Sequence, residues 1–525
     1  MMVRRADGGS FWRRVLYVVL LSVLPLVNLY VLKILVDTVQ SSATTGTAAV
    51  EPFMMWLVVM CAVSLVTRVV TALNAVNSDV LSQRLVDYMS DVVQRQAAAV
   101  DLAAYDMPEF HDILHRAQQE SATRPLQVMN SFMSLFGAAI SIAGVMAMLL
   151  SASWWVVPVM LVAVVPSFLV RLYKARSIYA FRRENTQLYR RTGYYGSLLT
   201  TRATAAEMRA FRLAPLFRSR FVEARRLLSS RLLSISRRLG AMDVACAAVE
   251  VAAMFAVVWL LAARAFAGAI TIGSFVMLFE AFRRGQGYLS SLVGAIASLY
   301  DNRLFVSNLF EFLSLKPTVL PPAEPVEVPA DIATVEFRDV TFRYPDMDRD
   351  VLSGYNLVVR RGEMCVVEGR NGYGKSTLVK LLLRLYDPQQ GAVLAGGIDI
   401  RRFDLQQWRS HVAVLFQDFV RYACTVEENI AFGNSRFKPH SPLTAFVDTL
   451  PLGTKTLLGR VFDGGSELSM GQWQRLALER ALQSDAPVLL LDEPMAWMDN
   501  ATRDIFRQLL ERAAAGRIVI MINHH

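Results

Sequence analysis

Residues 369–377 read Gly-Arg-Asn-Gly-Tyr-Gly-Lys-Ser-Thr. Their spacing defines a chemistry. Gly369, Gly372 and Gly374 let backbone N–H groups turn inward without Cβ clashes. The loop running through Arg370, Asn371 and Tyr373 to Thr377 would then cradle phosphate oxygens. Lys375 would reach the β- and γ-phosphates, and the Ser376 hydroxyl would ligand Mg²⁺. An apolar run, Met364 to Val367, precedes the loop, and Leu378 to Leu383 follows it. That is strand, glycine loop and helix, the context a phosphate-binding loop needs. A helix opening near Lys375 also aims its positive dipole end at the same anion. The stretch points to ATP as ligand and Mg²⁺ as its metal.

Other residues extend this chemistry, each at the end of an apolar strand. Val412 to Phe416 ends at Gln417, placed to touch Mg²⁺ or the attacking water. Val488 to Leu491 ends in Asp492-Glu493-Pro494. Asp492 is positioned to hold Mg²⁺, and Glu493 to polarise water as a general base. Ile518 to Ile522 ends at Asn523-His524, and His524 would contact the γ-phosphate. Val335 to Tyr344 alternates as a strand does. Tyr344 either stacks on adenine or fills the core.

These elements need a soluble α/β domain, yet the chain is too apolar to be only that. It has 525 residues, 54% of them hydrophobic, and a mean hydropathy of +0.34. The net charge of +10 sits beside apolar segments rather than in one exposed block, which excludes nucleic acid as partner and suits a membrane protein. Cys61, Cys246, Cys365 and Cys424 have the spacing of neither a disulfide framework nor a zinc site. His111 and His115 are spaced like metal ligands on a helix but have no third partner, so no metal site is expected there. The first apolar run is too long for a cleavable signal peptide.

Six apolar runs are long enough to cross the ~30 Å of hydrocarbon in a bilayer. They are Val15 to Val36, Phe53 to about Leu73, two within Leu126 to Val170 divided by Ser151-Ala152-Ser153, Met242 to about Ala263, and Ile270 to about Leu299. Two long polar excursions, Asn77 to Arg124 and Arg171 to Gly240, lie on one side. The second carries seventeen Lys and Arg against three Glu. The opposite loops hold only Arg264. The positive-inside rule therefore puts both termini, both excursions and the ATP-binding domain in the cytoplasm of a multi-pass cell-membrane protein. The division is a six-helix membrane domain over 1–314, a proline-rich linker over 315–331, and an α/β P-loop NTPase cassette over 332–525.

Leu468-Ser469-Met470-Gly471-Gln472 resembles the signature LSGGQ of ATP-binding-cassette (ABC) transporters, with Met470 in place of a glycine. With the phosphate loop, Gln417, Asp492-Glu493, Met495 to Asp499 as D-loop and His524, the whole chain resembles a six-span ABC exporter in half-transporter form. The resemblance implies that Ser469, Gly471 and Gln472 face the γ-phosphate of ATP held by a partner cassette. It places Asp499 at the acidic D-loop position. One phosphate loop and one signature per chain imply a dimer, with an identical or different second half-transporter. Tyr105 to Ala117, with Phe110, Ile113, Leu114 and Ala117 on one face, resembles a first coupling helix. Ala203 to Phe217, with Met208, Phe211 and Phe217, resembles a second. Each has the alternative of packing on its own chain. The chain stops at His525, short of the family's usual end, which reads as truncation of the cassette. The implied activity is ATPase-coupled export. Residues 464–478 look like those of lantibiotic-type peptide exporters, particularly Trp473. Lipid or drug efflux is the alternative, and a non-hydrolysing regulatory subunit, favoured by Met470, is a further one. Within the spans, Glu250 and Glu280 either line the path of a cationic cargo or, for Glu280, pair with Arg284.

Overall fold

The computed structural model describes residues 2–45, 50–107, 110, 113–114, 117–118, 121, 123–152, 156–369, 374–433 and 441–523. His111, His115, residues 370–373 and His524 lie outside them. Two compact units result: Met1–Ala98 with Ile113–Ser314, and Ala99–Asp112 with Leu315–His525.

Every apolar run of the first unit lies inside a long helix. These are α1 (Met2–Thr45), α2 (Val50–Ala99), α4 (Arg124–Ala152), α5 (Val156–Glu184), α8 (Ala214–Phe266) and α9 (Ile272–Ser314). The shorter α6 (Thr186–Thr200) and α7 (Arg202–Ala210) precede α8, and α3 (Leu102–Tyr105) belongs to the second unit. α2 and α8 have 50 and 53 residues, so each reaches roughly 75–80 Å at 1.5 Å per residue. The polar excursions are thus largely continuations of the apolar helices. Among the described residues, four segments are long and apolar enough to cross a membrane: Asp7–Ser42, Val50–Ala99, Arg124–Leu150 and Ala214–Phe266. α9 carries Glu280, Arg283 and Arg284 inside its apolar run. A count of six crossings therefore remains part of the functional proposal.

A buried apolar cluster with Leu29, Val145, Leu149, Val257, Leu261 and Phe282 packs between these helices, and small residues and polar bonds add close contacts. The Ser22 hydroxyl of α1 donates to the Gly137 carbonyl of α4 at 3.1 Å. A Cβ on Gly144 would lie 2.1 Å from the Leu26 side chain. Ser131 of α4 donates to Ser298 of α9 at 2.7 Å. The N-terminus of α9 is capped from α1: the Gly273 N–H donates to Asp37 at 3.0 Å and the Ile272 N–H to Gln40 at 3.2 Å. Those amides are orphans of the first turn, and the carboxylate also meets the dipole.

Ala203 to Phe217, expected as one coupling helix, is interrupted. Helix α7 ends at Ala210, Arg212 is left-handed (φ +53°), and Pro215 starts α8 in its first turn. Met208 is buried and Phe211 exposed. Of the first coupling segment, Phe110 and Ala117 are buried, and the Phe110 ring lies 4.7 Å from that of Tyr105.

The second unit contains two four-stranded sheets. One is antiparallel, ordered β2 (Leu352–Arg360), β1 (Thr334–Phe342), β4 (Gln390–Ala395), β5 (Ile398–Asp399). The other is parallel, ordered β3 (Met364–Glu368), β8 (Ile518–Asn523), β7 (Val488–Asp492), β6 (Val412–Leu415). Helix α10 (Lys375–Leu382) buries Leu378, Val379, Leu381 and Leu382 in a core shared with Phe337, Phe342, Leu490 and Ile520 of both sheets. Short α11 (Leu405–Ser410) and α12 (Val426–Ala431) follow. Helices α13 (Met470–Leu482) and α14 (Asn500–Ala514) contribute Leu478, Phe506 and Leu510 to a core with Leu489, Leu491 and Val519 of the parallel sheet. Cover on both faces explains why β7 is apolar at successive positions rather than alternate ones.

Residues 99–112 pack as part of this unit. Ala103 enters its core. The Asp101 carboxylate accepts from the Thr318 hydroxyl at 2.8 Å and the Val319 N–H at 2.9 Å. The Tyr386 hydroxyl donates to Asp106; burial together with that bond pushes the phenol well above its usual range. The proline-rich stretch is laid along the unit, with Arg384 donating to the Leu320 carbonyl and Val326 N–H to Arg402, both at 2.8 Å.

Candidate functional site

The parallel register aligns the carboxyl ends of four strands. Glu368 of β3 pairs with Asn523 of β8, Ile522 with Asp492 of β7, and Leu491 with Leu415 of β6. Gly369, Gln417 and Asp492-Glu493 therefore follow strand ends along one edge of the sheet, where ligands bind in open α/β sheets. His524 would follow Asn523 on that edge but lies outside the described residues, as do Arg370, Asn371, Gly372 and Tyr373.

Gly374 caps α10 with φ +78°. A Cβ there would meet Leu352 at 2.8 Å and the Val351 carbonyl at 3.1 Å. Glycine is therefore required by conformation and space together. Among the described residues, a Cβ at Gly369 would come no nearer than 4.0 Å, to the Lys375 side chain. Lys375 is buried at the first turn of α10 and donates to the Gly369 carbonyl, while Thr377 is buried and Ser376 half-buried.

Asp492 is buried at the end of β7. Glu493 follows with φ +50°, a strained position for a side chain with a Cβ. Its N–H donates to the Ile522 carbonyl at 3.0 Å. Its carboxylate accepts from the Gln417 amide at 2.7 Å. The two residues proposed to handle water and metal are thus brought together from strands 76 positions apart. A buried carboxylate, a lysine at a helix N-terminus, a Ser and Thr beside it and a carboxylate–amide pair suit a nucleotide triphosphate with a hard divalent cation.

Tyr344 is half-buried and packs against the cassette core. Its hydroxyl shares a 3.1 Å hydrogen bond with Thr377 of α10. Its ring meets Phe342 and Tyr386 edge-on, at 4.9 and 5.4 Å between centroids. The Lys380 ammonium lies over it, 5.0 Å from the centroid. That cation–π contact was not legible from sequence spacing, although Lys380 stands three residues after Thr377 on the same helix face.

The signature segment opens α13 with a capping box. Ser469 accepts from the Gln472 N–H at 3.3 Å, and the Gln472 side chain accepts from the Ser469 N–H at 2.8 Å. Gln472 therefore orders this helix start. Met470 is 40% exposed. The close approach is at Gly471, where a Cβ would lie 2.8 Å from the Trp497 carbonyl. Trp473 is buried in an apolar cluster with Val426, Ile430, Phe446 and Leu476, so its bulk builds the helical part of the cassette. Asp499 caps α14 by accepting from the Thr502 N–H at 2.7 Å, which holds its carboxyl below the usual range. The Gln474 link from α13 to Glu493 and Trp497 was missed from the sequence.

Residues 352–496 match the ABC transporter family. The chain is 25% identical to the subtilin transport ATP-binding protein SpaT of Bacillus subtilis, over 99% of this chain and 85% of that protein. It is 26% identical to the nisin transport ATP-binding protein NisT of Lactococcus lactis, over 98% and 87%. Similarity to the ATP-dependent lipid A-core flippase of Bordetella pertussis is 31% over 66% of this chain and 57% of that protein. A solved bacterial Atm1-family ABC exporter with ATP bound superposes with a TM-score of 0.79 at 20% identity, over 99% of this chain and 92% of that one. Residues 352–496 thus carry an ABC transporter domain, and the chain as a whole, a helical membrane unit with one such cassette, is similar to half-transporter exporters.

Proposed function

We propose that this half-transporter exports a peptide across the cytoplasmic membrane, in a dimer whose two cassettes close on ATP and reopen on hydrolysis. The observation that carries the hydrolytic reading is the 2.7 Å bond from Gln417 to Glu493 beside buried Asp492. Peptide is supported by similarity to subtilin and nisin transport proteins over nearly the whole chain, against two thirds for the lipid A-core flippase.

The residues divide the work. Gly369 to Gly374 and the α10 N-terminus bind the phosphates through backbone N–H groups. Lys375 neutralises the β/γ charge, and Tyr344 stacks on the base. Ser376 and Asp492 would hold Mg²⁺, which would supply charge neutralisation at the phosphates. Gln417 orients the water, and Glu493 accepts its proton as the oxygen attacks phosphorus and ADP leaves with the bond electrons. His524 contacts the γ-phosphate. Ser469, Gly471 and Gln472 present the α13 N-terminus to ATP on the partner cassette, with Asp499 steadying the D-loop beside it. Six spans carry the path, with both termini and the cassette cytoplasmic, as the basic excursions favour.

The test uses the full-length dimer in inside-out vesicles. Glu493→Gln is expected to keep ATP bound and to lose hydrolysis about 10²- to 10⁴-fold. Unchanged hydrolysis would remove Glu493 from the mechanism. ATP-dependent uptake of a cationic precursor peptide supports the substrate class; uptake of lipid with no peptide movement overturns it.

A further inference from the structure

Gln474 is 2% exposed, and both ends of its amide are used. Its Nε2 donates to the Glu493 carbonyl at 3.1 Å. Its Oε1 accepts from the Trp497 N–H at 2.9 Å. The two partners bracket the turn from Glu493 to Trp497, directly after β7. Glu493 within that turn is left-handed, at φ +50°. Such a conformation is strained and persists only where the surroundings over-determine it. Here it is fixed from three directions: by Ile522 at its N–H, by Gln417 at its carboxylate and by Gln474 at its carbonyl.

Gln474 also stands five residues after Ser469, one helical turn and a half into α13. At the head of that helix, Gly471 is in backbone contact distance of the Trp497 carbonyl. Helix α13 and the 493–497 turn therefore touch at two places, one through a side chain and one through bare backbone. A shift of the helix head cannot leave the turn where it was without breaking one of them.

We infer that Gln474 is a positioning residue for Glu493: it holds the left-handed turn that aims the carboxylate and ties that turn to the signature helix. The inference rests on the reading of Glu493 as general base in a cassette dimer. Its consequence is directional. The head of α13 faces the partner's nucleotide, while Gln474 on the same helix holds this cassette's own base. Engagement of one composite site is thereby transmitted to the base of the other, with the buried Gln474 amide as the side-chain link.

The experiment measures ATP hydrolysis and ATP binding in the assembled full-length dimer. Gln474→Met keeps the volume and removes both bonds. The expected result is a fall in kcat of about 10- to 100-fold, the scale of a misplaced catalytic group, with KM for ATP and equilibrium ATP binding unchanged and bound ATP retained for longer. Gln474→Glu keeps an acceptor for Trp497 and replaces the donor to Glu493 with an oxygen; it should lose kcat as Gln474→Met does. In a Glu493→Gln background, Gln474→Met should lower the residual rate no further, because residues acting as a unit are not additive. Three results would overturn the role. One is wild-type kcat in Gln474→Met. Another is parallel loss of ATP binding and hydrolysis in both Gln474 variants, which would make Gln474 a packing residue. The third is a full additional loss in the Glu493→Gln background. The underlying reading fails separately: in that case Glu493→Gln alone would hydrolyse ATP at the wild-type rate.

Discussion

The cassette and the membrane unit treat glycine and apolar surface in opposite ways. In the cassette, apolar side chains turn inward between two sheets and their helices, and polar function gathers on one sheet edge. In the membrane unit, Trp259, Val244 and Leu65 are among many large apolar residues left exposed, and small residues and hydroxyls join the helices beside a buried cluster that includes Leu29, Val145 and Phe282. The solvent explains the difference. Water rewards hiding apolar surface, whereas lipid does not, so helices in lipid associate through close backbone approach and polar bonds. Gly374 and Gly273 show the contrast within one residue type. Gly374 is required by a left-handed turn that shapes a binding loop. Gly273 is required because a Cβ would lie 2.4 Å from both the Lys33 carbonyl and Asp37 of α1.

Four substitutions sharpen or break this comparison. The largest effect is expected from Gly374→Ala. Strain and the 2.8 Å approach to Leu352 should distort the phosphate loop. ATP binding, measured by equilibrium dialysis on the full chain, should fall at least about 100-fold, the scale of losing positioned donors; normal binding would deny that this glycine shapes the site. Tyr344→Ala should follow, weakening ATP binding by about 1–3 kcal/mol, the range for lost base stacking. If GTP and ATP affinities are both unchanged, Tyr344 is a core residue and the adenine platform lies elsewhere.

Gly273→Val should cost about 1–3 kcal/mol of membrane-unit stability through overpacking at the α1–α9 contact, seen as a lower melting temperature in detergent. Nucleotide affinity should be preserved; a parallel loss of ATP binding would break the division of roles drawn above. The smallest effect is expected from Glu280→Gln. Glu280 accepts from Arg283 at 2.8 Å, and Arg284 approaches it at 3.8 Å, so the nearer partner is Arg283 rather than Arg284. Arg283 is more than half exposed, and pairs of that kind contribute about 0–1 kcal/mol. Expression and basal ATPase should be retained while peptide-stimulated ATPase weakens. Loss of folded protein would instead make the pair a structural lock of α9.

The motifs of the cassette were legible because they are local. A glycine spacing, an apolar strand ending in two acids and a Ser-x-x-Gln helix start each act through residues a few positions apart. The same holds for the long apolar runs, whose helices follow from backbone groups that must satisfy one another in lipid. What stayed hidden was non-local. No spacing brings Gln417 to Glu493 or Gln474 to Trp497, because strand order and helix docking decide those meetings. The coupling segment around Ala203 looked continuous because its helix-forming residues run on, and Arg212 gives no sign of a left-handed break. Trp473 looked like a family mark and proved a core side chain, because burial depends on what the rest of the chain packs against it.

The sequence by itself determined where a glycine-rich strand-to-helix turn falls and where helices long enough for a bilayer form, since both depend on local backbone freedom and on runs of like side chains. Only the tertiary structure decided that residues 99–112 belong with the cassette unit, that α1 caps α9, and that Glu493 is held left-handed from three sides. Those outcomes depend on hydrogen bonds and packing between distant segments, whose free energy exists only once the chain has folded around them.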